Sequence, residues 1–219
     1  MKKKKDTSVR NVSIIGGADG PTSIFIAGRT GKSPLKVRMK NYIYKKRRER
    51  TARYIRPNPH SLKQVVSFMK REYGAYEMPV ESRQYQDMKA SLKEGLILRH
   101  RPELLEGLTK VNKPAEHTQE AVEEMFLQIK QRSEEIARIP DDQFTTDFHV
   151  YEIHIDGGRM EIEIDYQWDI LGISYSGDQK AMKTLKKMSR RLYLLYGVTK
   201  EDIQKQTKRY SSLLAALSS

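Results

Sequence analysis

The chain has 219 residues, of which 37% are hydrophobic and 32% charged, a net charge of +13 and no cysteine. This composition allows a buried core inside a densely charged surface, and it excludes disulfides and cysteine-based zinc or iron–sulfur sites. Crossing a bilayer takes about 20 consecutive apolar residues, whereas clean apolar runs here, such as Ile24–Ala27 and Leu213–Leu217, reach no more than five residues and mean hydropathy is −0.72.

No segment is therefore expected to span a membrane, and a cytoplasmic location is expected. The positive charge is concentrated at one end. Residues 1–57 hold seventeen Lys and Arg against Asp6, Asp19 and Glu49, a net +14, while the other 162 residues sum to −1. Such polarity points to an arm that meets polyanions or an acidic membrane surface.

Residues 1–10 read as a lysine-rich tip. Next, the apolar runs Val12–Ile15 and Ile24–Ala27 flank Gly16, Gly17, Asp19, Gly20, Pro21 and Thr22. Glycine supplies positive φ and proline holds φ near −65°, so the pattern predicts a β-hairpin with a glycine-rich turn. Residues 13–28 also closely resemble the signature of the beta subunit of sodium-ion-translocating decarboxylases, the membrane component of oxaloacetate, methylmalonyl-CoA and glutaconyl-CoA decarboxylases. In that family the Gly-Gly-Ala-Asp-Gly-Pro-Thr segment lies within the membrane, and its Asp, matching Asp19, belongs to the sodium and proton pathway. The resemblance implies decarboxylase subunits as partners, but it covers only those residues. Without a spanning segment, sodium transport by this chain alone is not expected.

Gly28–Ser33 has the outline of a phosphate-binding loop, but the required glycine five positions before Gly31 is Ile26, and Pro34 intrudes where a helix should start. Leu35 to Ile55 reads as a basic helix. Lys36, Arg38, Lys40, Lys45, Lys46, Arg47, Arg48, Arg50 and Arg53 are candidates for phosphate contact, and Tyr42, Tyr44 and Tyr54 for stacking on bases. A plain solvated helix end is the competing reading. Across residues 29–56 there are twelve basic side chains and one acidic one, so nucleic acid or another anionic surface is the expected partner.

Arg56-Pro-Asn-Pro-His60 is a turn linker and predicts a boundary. The expected regions are 1–57, 58–140 and 141–219. Ser61 and Gln64 form a capping box opening a helix with Leu62, Val65, Val66, Met69 and Tyr73 on one face and Gly74 at its end. A second helix is expected from Pro79 to Gly95, with Tyr85, Met88 and Leu92 inward. A short helix follows over residues 102–108, and another reaches Ile139 through Val122, Met125, Ile129 and Ile136.

The period then changes from helical to alternating. Residues 149–155 and 160–168 read as two strands, with a Gly157-Gly158 turn that sets Ile155 against Met160 and Ile153 against Ile162. Ile170–Tyr175 should complete a meander. Two helices are expected last. Met182, Leu185, Met188, Leu192 and Leu195 face inward on the first, and Ile203, Tyr210, Leu214 and Leu217 on the second, capped by Thr199.

The histidines lack the i, i+4 spacing of a helical metal site, and no nucleophile elbow is present. One polar cluster remains, the outer hairpin face, where the expected register opposes His154 to Glu161 and Glu152 to Glu163, near Asp165. Carboxylates beside histidine could do acid–base work, though an exposed charged face is the commoner outcome. Catalysis, metal and cofactor are not expected. The sequence thus predicts an α+β chain: an N-terminal β-hairpin and basic helix, a helical middle, and a three-stranded antiparallel meander with two C-terminal helices. Its expected function is polyanion binding, with association with a decarboxylase and an enzyme using the Glu/His face as alternatives.

Overall fold

A computed structural model describes residues 35–105 and 119–218; the hairpin expected around Gly16, Gly17, Asp19, Gly20, Pro21 and Thr22 lies outside them. The described residues form an α+β structure. In chain order these are α1 (Leu35–Ala52), α2 (Leu62–Tyr73), β1 (Tyr76–Glu77), α3 (Arg83–His100), a 3-10 turn (Pro102–Leu105), α4 (Gln119–Arg138), β2 (Phe148–Ile155), β3 (Gly158–Asp165), β4 (Ile170–Gly177), α5 (Gln179–Tyr196), α6 (Lys200–Lys205) and α7 (Lys208–Ser218). The strands make one antiparallel sheet in the order β1-β2-β3-β4.

Both faces of this sheet are covered, in a layered arrangement that alternating strands permit. On one face Leu62, Val65 and Met69 of α2 and Leu185 and Leu192 of α5 bury Ile153, Met160, Ile162 and Ile164. On the other, Leu92 and Ile97 of α3 and Ile136 of α4 pack over Phe148 and Val150. A third cluster joins Ile55, Val198, Tyr210, Leu213 and Leu214, and through it α1 is seated on α7.

The local signals act as expected at α2. Ser61 Oγ accepts from the Gln64 amide while the Gln64 side chain accepts from the Ser61 amide at 2.9 Å, and Gly74 ends the helix with φ 64°. Elsewhere tertiary packing shifts the boundaries. The second helix starts at Arg83 rather than Pro79, because Ser82 folds back on Pro79 O and caps Tyr85 N. It also runs through Gly95 to His100. A mid-helix glycine costs about 1 kcal/mol, and burial of Leu96 and Ile97 immediately after it offsets that.

The hairpin register differs from the expected one by two residues. Ile155 faces Gly158, Ile153 faces Met160 and Tyr151 faces Ile162. The turn centres on Asp156-Gly157, where Gly157 takes φ 75°. Gly158 instead belongs to the strand, since a Cβ there would lie 2.8 Å from Ala181 Cβ at the start of α5. A shift of two preserves which side chains share a face, so the apolar stripes survive it. β3 stops at Asp165, three residues short of Trp168, because the buried Asp165 carboxylate accepts from Trp168 N at 2.9 Å and closes a turn. The short edge strand β1 adds a fourth strand to the meander.

The expected last helix is two. Gln206 adopts φ 50° and ends α6, and the Thr207 hydroxyl, donating to Asp202 at 2.6 Å, restarts the chain as α7. On α5 the inward position near the start is Ala181, and Met182 is exposed.

The linker 56–60 runs alongside the end of α5, with Asn58 N donating to Val198 O and His60 N to Tyr196 O. Gly197 makes that approach possible. Its φ is 60°, and a Cβ would lie 1.9 Å from Asn58 O. Gly197→Ala should therefore cost about 2–4 kcal/mol, from left-handed backbone and a backbone clash together. Urea unfolding of the variant should show a lower midpoint with little change in slope; an unchanged midpoint would mean the linker is not pinned there.

Candidate functional site

Two helices carry the cationic surface. α1 holds Arg38, Lys40, Lys45, Lys46, Arg47, Arg48 and Arg50 together with Lys36, and Arg53 follows it. The only carboxylate on α1 is Glu49, 3.1 Å from Lys46, whose hydrogen bond holds the Glu49 carboxyl below its usual range. Tyr42 and Tyr44 are exposed, and Lys46 Nζ lies 5.9 Å from the Tyr42 ring centre. Leu35, Met39 and Ile43 are exposed as well. The helix is seated only near its end, through Ala52 and the following Ile55.

The second is α5, expected from its apolar stripe as a covering helix but not as a contact surface. Its inner face is apolar, and its outer face presents Lys180, Lys183, Lys186, Lys187, Arg190 and Arg191 with no acidic residue in the element. Arg191 lies over the Phe68 ring at 4.9 Å, whereas Lys183, Lys187 and Arg190 form no ion pair with a described residue. The signal in the sequence was an 18-residue helix without a carboxylate. It was hidden because the acidic strands β2 and β3 that precede it cancel its charge in any regional count. Those carboxylates, Glu152, Glu161, Glu163 and Asp165, lie on the sheet face away from α5.

A groove of about 330 Å³ joins the two helices. It is lined by Thr51, Tyr54, Ile55, Arg56 and Asn58 at the end of α1 and by Arg190, Leu194, Gly197, Leu213 and Leu217 of α5 and α7. Arg56 is fixed at its edge, donating to the Arg53 and Ile55 carbonyls. The family-signature residues Gly16, Gly17, Asp19, Gly20, Pro21 and Thr22 lie outside the described residues.

The Glu/His face is neither exposed nor paired as expected. His154 opposes Arg159, Glu152 opposes Glu161 and Val150 opposes Glu163. The face is half-buried beneath the start of α3, although His154 stays exposed, and Glu161 and Glu152 have partners. Gln84 Nε2 donates to Glu161 at 2.7 Å, Arg159 lies 3.2 Å from the same carboxylate, and Tyr76 O–H donates to Glu152 at 2.7 Å. Glu163 sits opposite Gly172. Burial, reinforced by the neighbouring Glu161 charge, pushes the Glu163 carboxyl up to about 6. Among the described residues no group of three or more metal-ligating side chains could hold an ion.

A second polar cluster was not anticipated. His149 Nδ1 is 2.6 Å from Glu77 and Nε2 is 3.1 Å from Asp147, with Tyr151 and Tyr166 against the ring. Burial lowers its proton affinity, but the two carboxylate hydrogen bonds outweigh that and hold His149 above its ordinary value. This arrangement ties β1 to β2. It needed the β1–β2 pairing, which brings together residues 72 positions apart.

Another cavity, of about 390 Å³, lies between α3 and α7 and includes Trp168, Asp169, Asp202, Lys208 and Arg209. Desolvation pushes the Lys208 ammonium down to about 8. Its charge is nearly balanced by the two aspartates, which distinguishes it from the groove beside α1. Among the described residues no helix is long and apolar enough to cross a membrane. In comparisons with known proteins, no family model matches the chain, and no curated protein or solved structure does either.

The Glu163 environment sets a pH dependence. Its folded proton affinity exceeds the unfolded one, the carboxyl rising from an ordinary 4.5 to about 6, so the native state binds this proton more tightly and loses stability as pH rises through that window. Glu163→Gln should stabilise the fold by about 1–2 kcal/mol at pH 7–8 and leave it unchanged below about pH 4.5. Urea unfolding across that range checks the sign; parallel curves for variant and parent would place Glu163 in solvent.

Proposed function

We propose that the protein is a non-catalytic polyanion-binding module that contacts the phosphate backbone of nucleic acid, in the cytoplasm. α1 and the outer face of α5 are the contacting elements. The observation that carries this reading is the segregation of charge: α5 has six cations and no carboxylate, α1 has one carboxylate, and the groove between them is lined by none. Cations held this way neutralise phosphates and release condensed counterions, a term that depends on charge density and not on base sequence. Two of the carboxylates that might have served catalysis are instead tied up, Glu161 by Gln84 and Arg159 and Glu152 by Tyr76.

Affinity for nucleic acid should accordingly fall steeply with salt. Changing Lys45, Lys46, Arg47, Arg48 and Arg50 together to Gln should weaken binding for every base sequence and flatten the log–log salt slope by about 4. Anisotropy titrations at several ionic strengths measure both quantities. Salt-independent binding, or an unaltered slope in that variant, would overturn the proposal; capture by anionic vesicles but not nucleic acid would replace it with a membrane-surface role.

A second reading rests on residues 13–28. Their resemblance to the decarboxylase beta-subunit signature supports association with a sodium-translocating decarboxylase, Asp19 being the residue to change. Co-purification of decarboxylase subunits from the native cell, and its loss on Asp19→Asn, is the expected outcome. Recovery of the protein without those subunits would remove this reading and leave the first untouched.

A further inference from the structure

The polyanion reading leaves open what form of nucleic acid the surface takes, and the groove between α1 and α5 bears on that question. A strand that contacts both helices must cross it. Its rim is cationic, with Arg56 on one side and Arg190 on the other, but its floor is not: Ile55, Leu194, Leu213 and Leu217 make it apolar. Tyr54 stands at the edge with 81% of its surface exposed and belongs to no core cluster. The Asn58 side chain makes no hydrogen bond to a described residue, which leaves an amide with both donors and an acceptor at the groove.

A duplex gains little from such a floor, because its base faces are stacked inside and only base edges, sugar and phosphate reach the surface. A single strand has base faces to bury, an aromatic ring to stack them on, and flanking phosphates for the arginines. The groove's volume of about 330 Å³ lies at the small end of ligand-site sizes, room enough for an unstacked base. The stripe Lys183, Lys187, Arg190 and Leu194 on α5 follows helical spacing, i, i+4, i+7 and i+11, and leads the backbone along the helix to this point.

We infer that the ligand is single-stranded nucleic acid, with a base turned into the groove beside Tyr54 and its flanking phosphates on Arg56 and Arg190. This rests on the polyanion reading above and names its partner. Base identity matters little in such a site, since every base has a π-face and the floor is apolar; Asn58 supplies at most a modest preference through its amide.

The test uses the full chain, a labelled single-stranded oligodeoxynucleotide and a duplex of the same length, at one ionic strength. The strand should bind more tightly than the duplex. Tyr54→Ala should weaken strand binding about 5- to 100-fold and leave duplex binding unchanged, and Tyr54→Phe should restore it. An exposed tyrosine outside the core leaves the fold intact on substitution, and an unchanged circular dichroism melt verifies that. Equal weakening of strand and duplex, no weakening at all, or a preference for duplex overturns the inference. Its failure is separable from that of the underlying reading. If the five-residue Gln variant loses affinity while Tyr54→Ala does not, backbone contact stands and the base site falls. If neither variant loses affinity, both fall.

Discussion

One arginine holds the described structure together. The Arg209 guanidinium donates to the Tyr196, Gly197 and His60 carbonyls at 2.6–3.0 Å and to the Asp169 carboxylate at 3.0 Å, and its Cζ lies 3.7 Å from the Tyr196 ring centre. Four separate elements therefore meet at one side chain: the end of α5, the entry to α2, the β3–β4 turn and the start of α7. Only a planar fork with five donors can satisfy three carbonyls and a carboxylate at once. The Tyr196 hydroxyl completes the junction by donating to Asp169 O at 2.7 Å, and burial raises its proton affinity well above that of an ordinary phenol. Because α7 is anchored here, Ile55 finds a floor in Tyr210, Leu213 and Leu214, and the end of α1 is seated there.

The sheet does for charge what Arg209 does for connectivity. Its alternating strands send Met160, Ile162 and Ile164 toward α5 and Glu161, Glu163 and Asp165 the other way. On the far side the charges of α3 and α4 are largely neutralised in pairs, with Lys93 3.0 Å from Asp141 and the buried Arg132 2.8 Å from Glu94. Removing one partner of such a buried pair is strongly destabilising, whereas an exposed pair contributes only about 0–1 kcal/mol. Among the described residues the lysines of α5 have no such partners. A region whose formal charge is near zero thereby presents a cationic outer surface, and it does so next to the already basic α1.

Much of this was legible in the sequence. The capping box at Ser61, the helical stripes of α2 and α5 and the period-two alternation of Tyr151, Ile153, Met160 and Ile162 all act through neighbours a few residues apart. So does the cation density of α1. What resisted reading involved partners distant in the chain. The hairpin turn slipped by one residue, and the register by two, because Gly158 is needed under Ala181, not in the turn. The Glu/His face looked solvent-exposed because α3 could not be foreseen above it. Glu77 and His149, 72 positions apart, gave no local sign of meeting.

The sequence by itself determined the α+β class, the helix caps, the side-chain parity of each strand and the basic character of α1, because propensity, periodicity and charge are local properties of a chain. The tertiary structure alone decided the strand register, the break at Gln206, the burial of Glu163, and the joining of α1 to the cationic face of α5 through a common groove. Those outcomes depend on which surfaces come together. Contacts of that kind are settled by close packing and by the satisfaction of buried polar groups across long sequence separations.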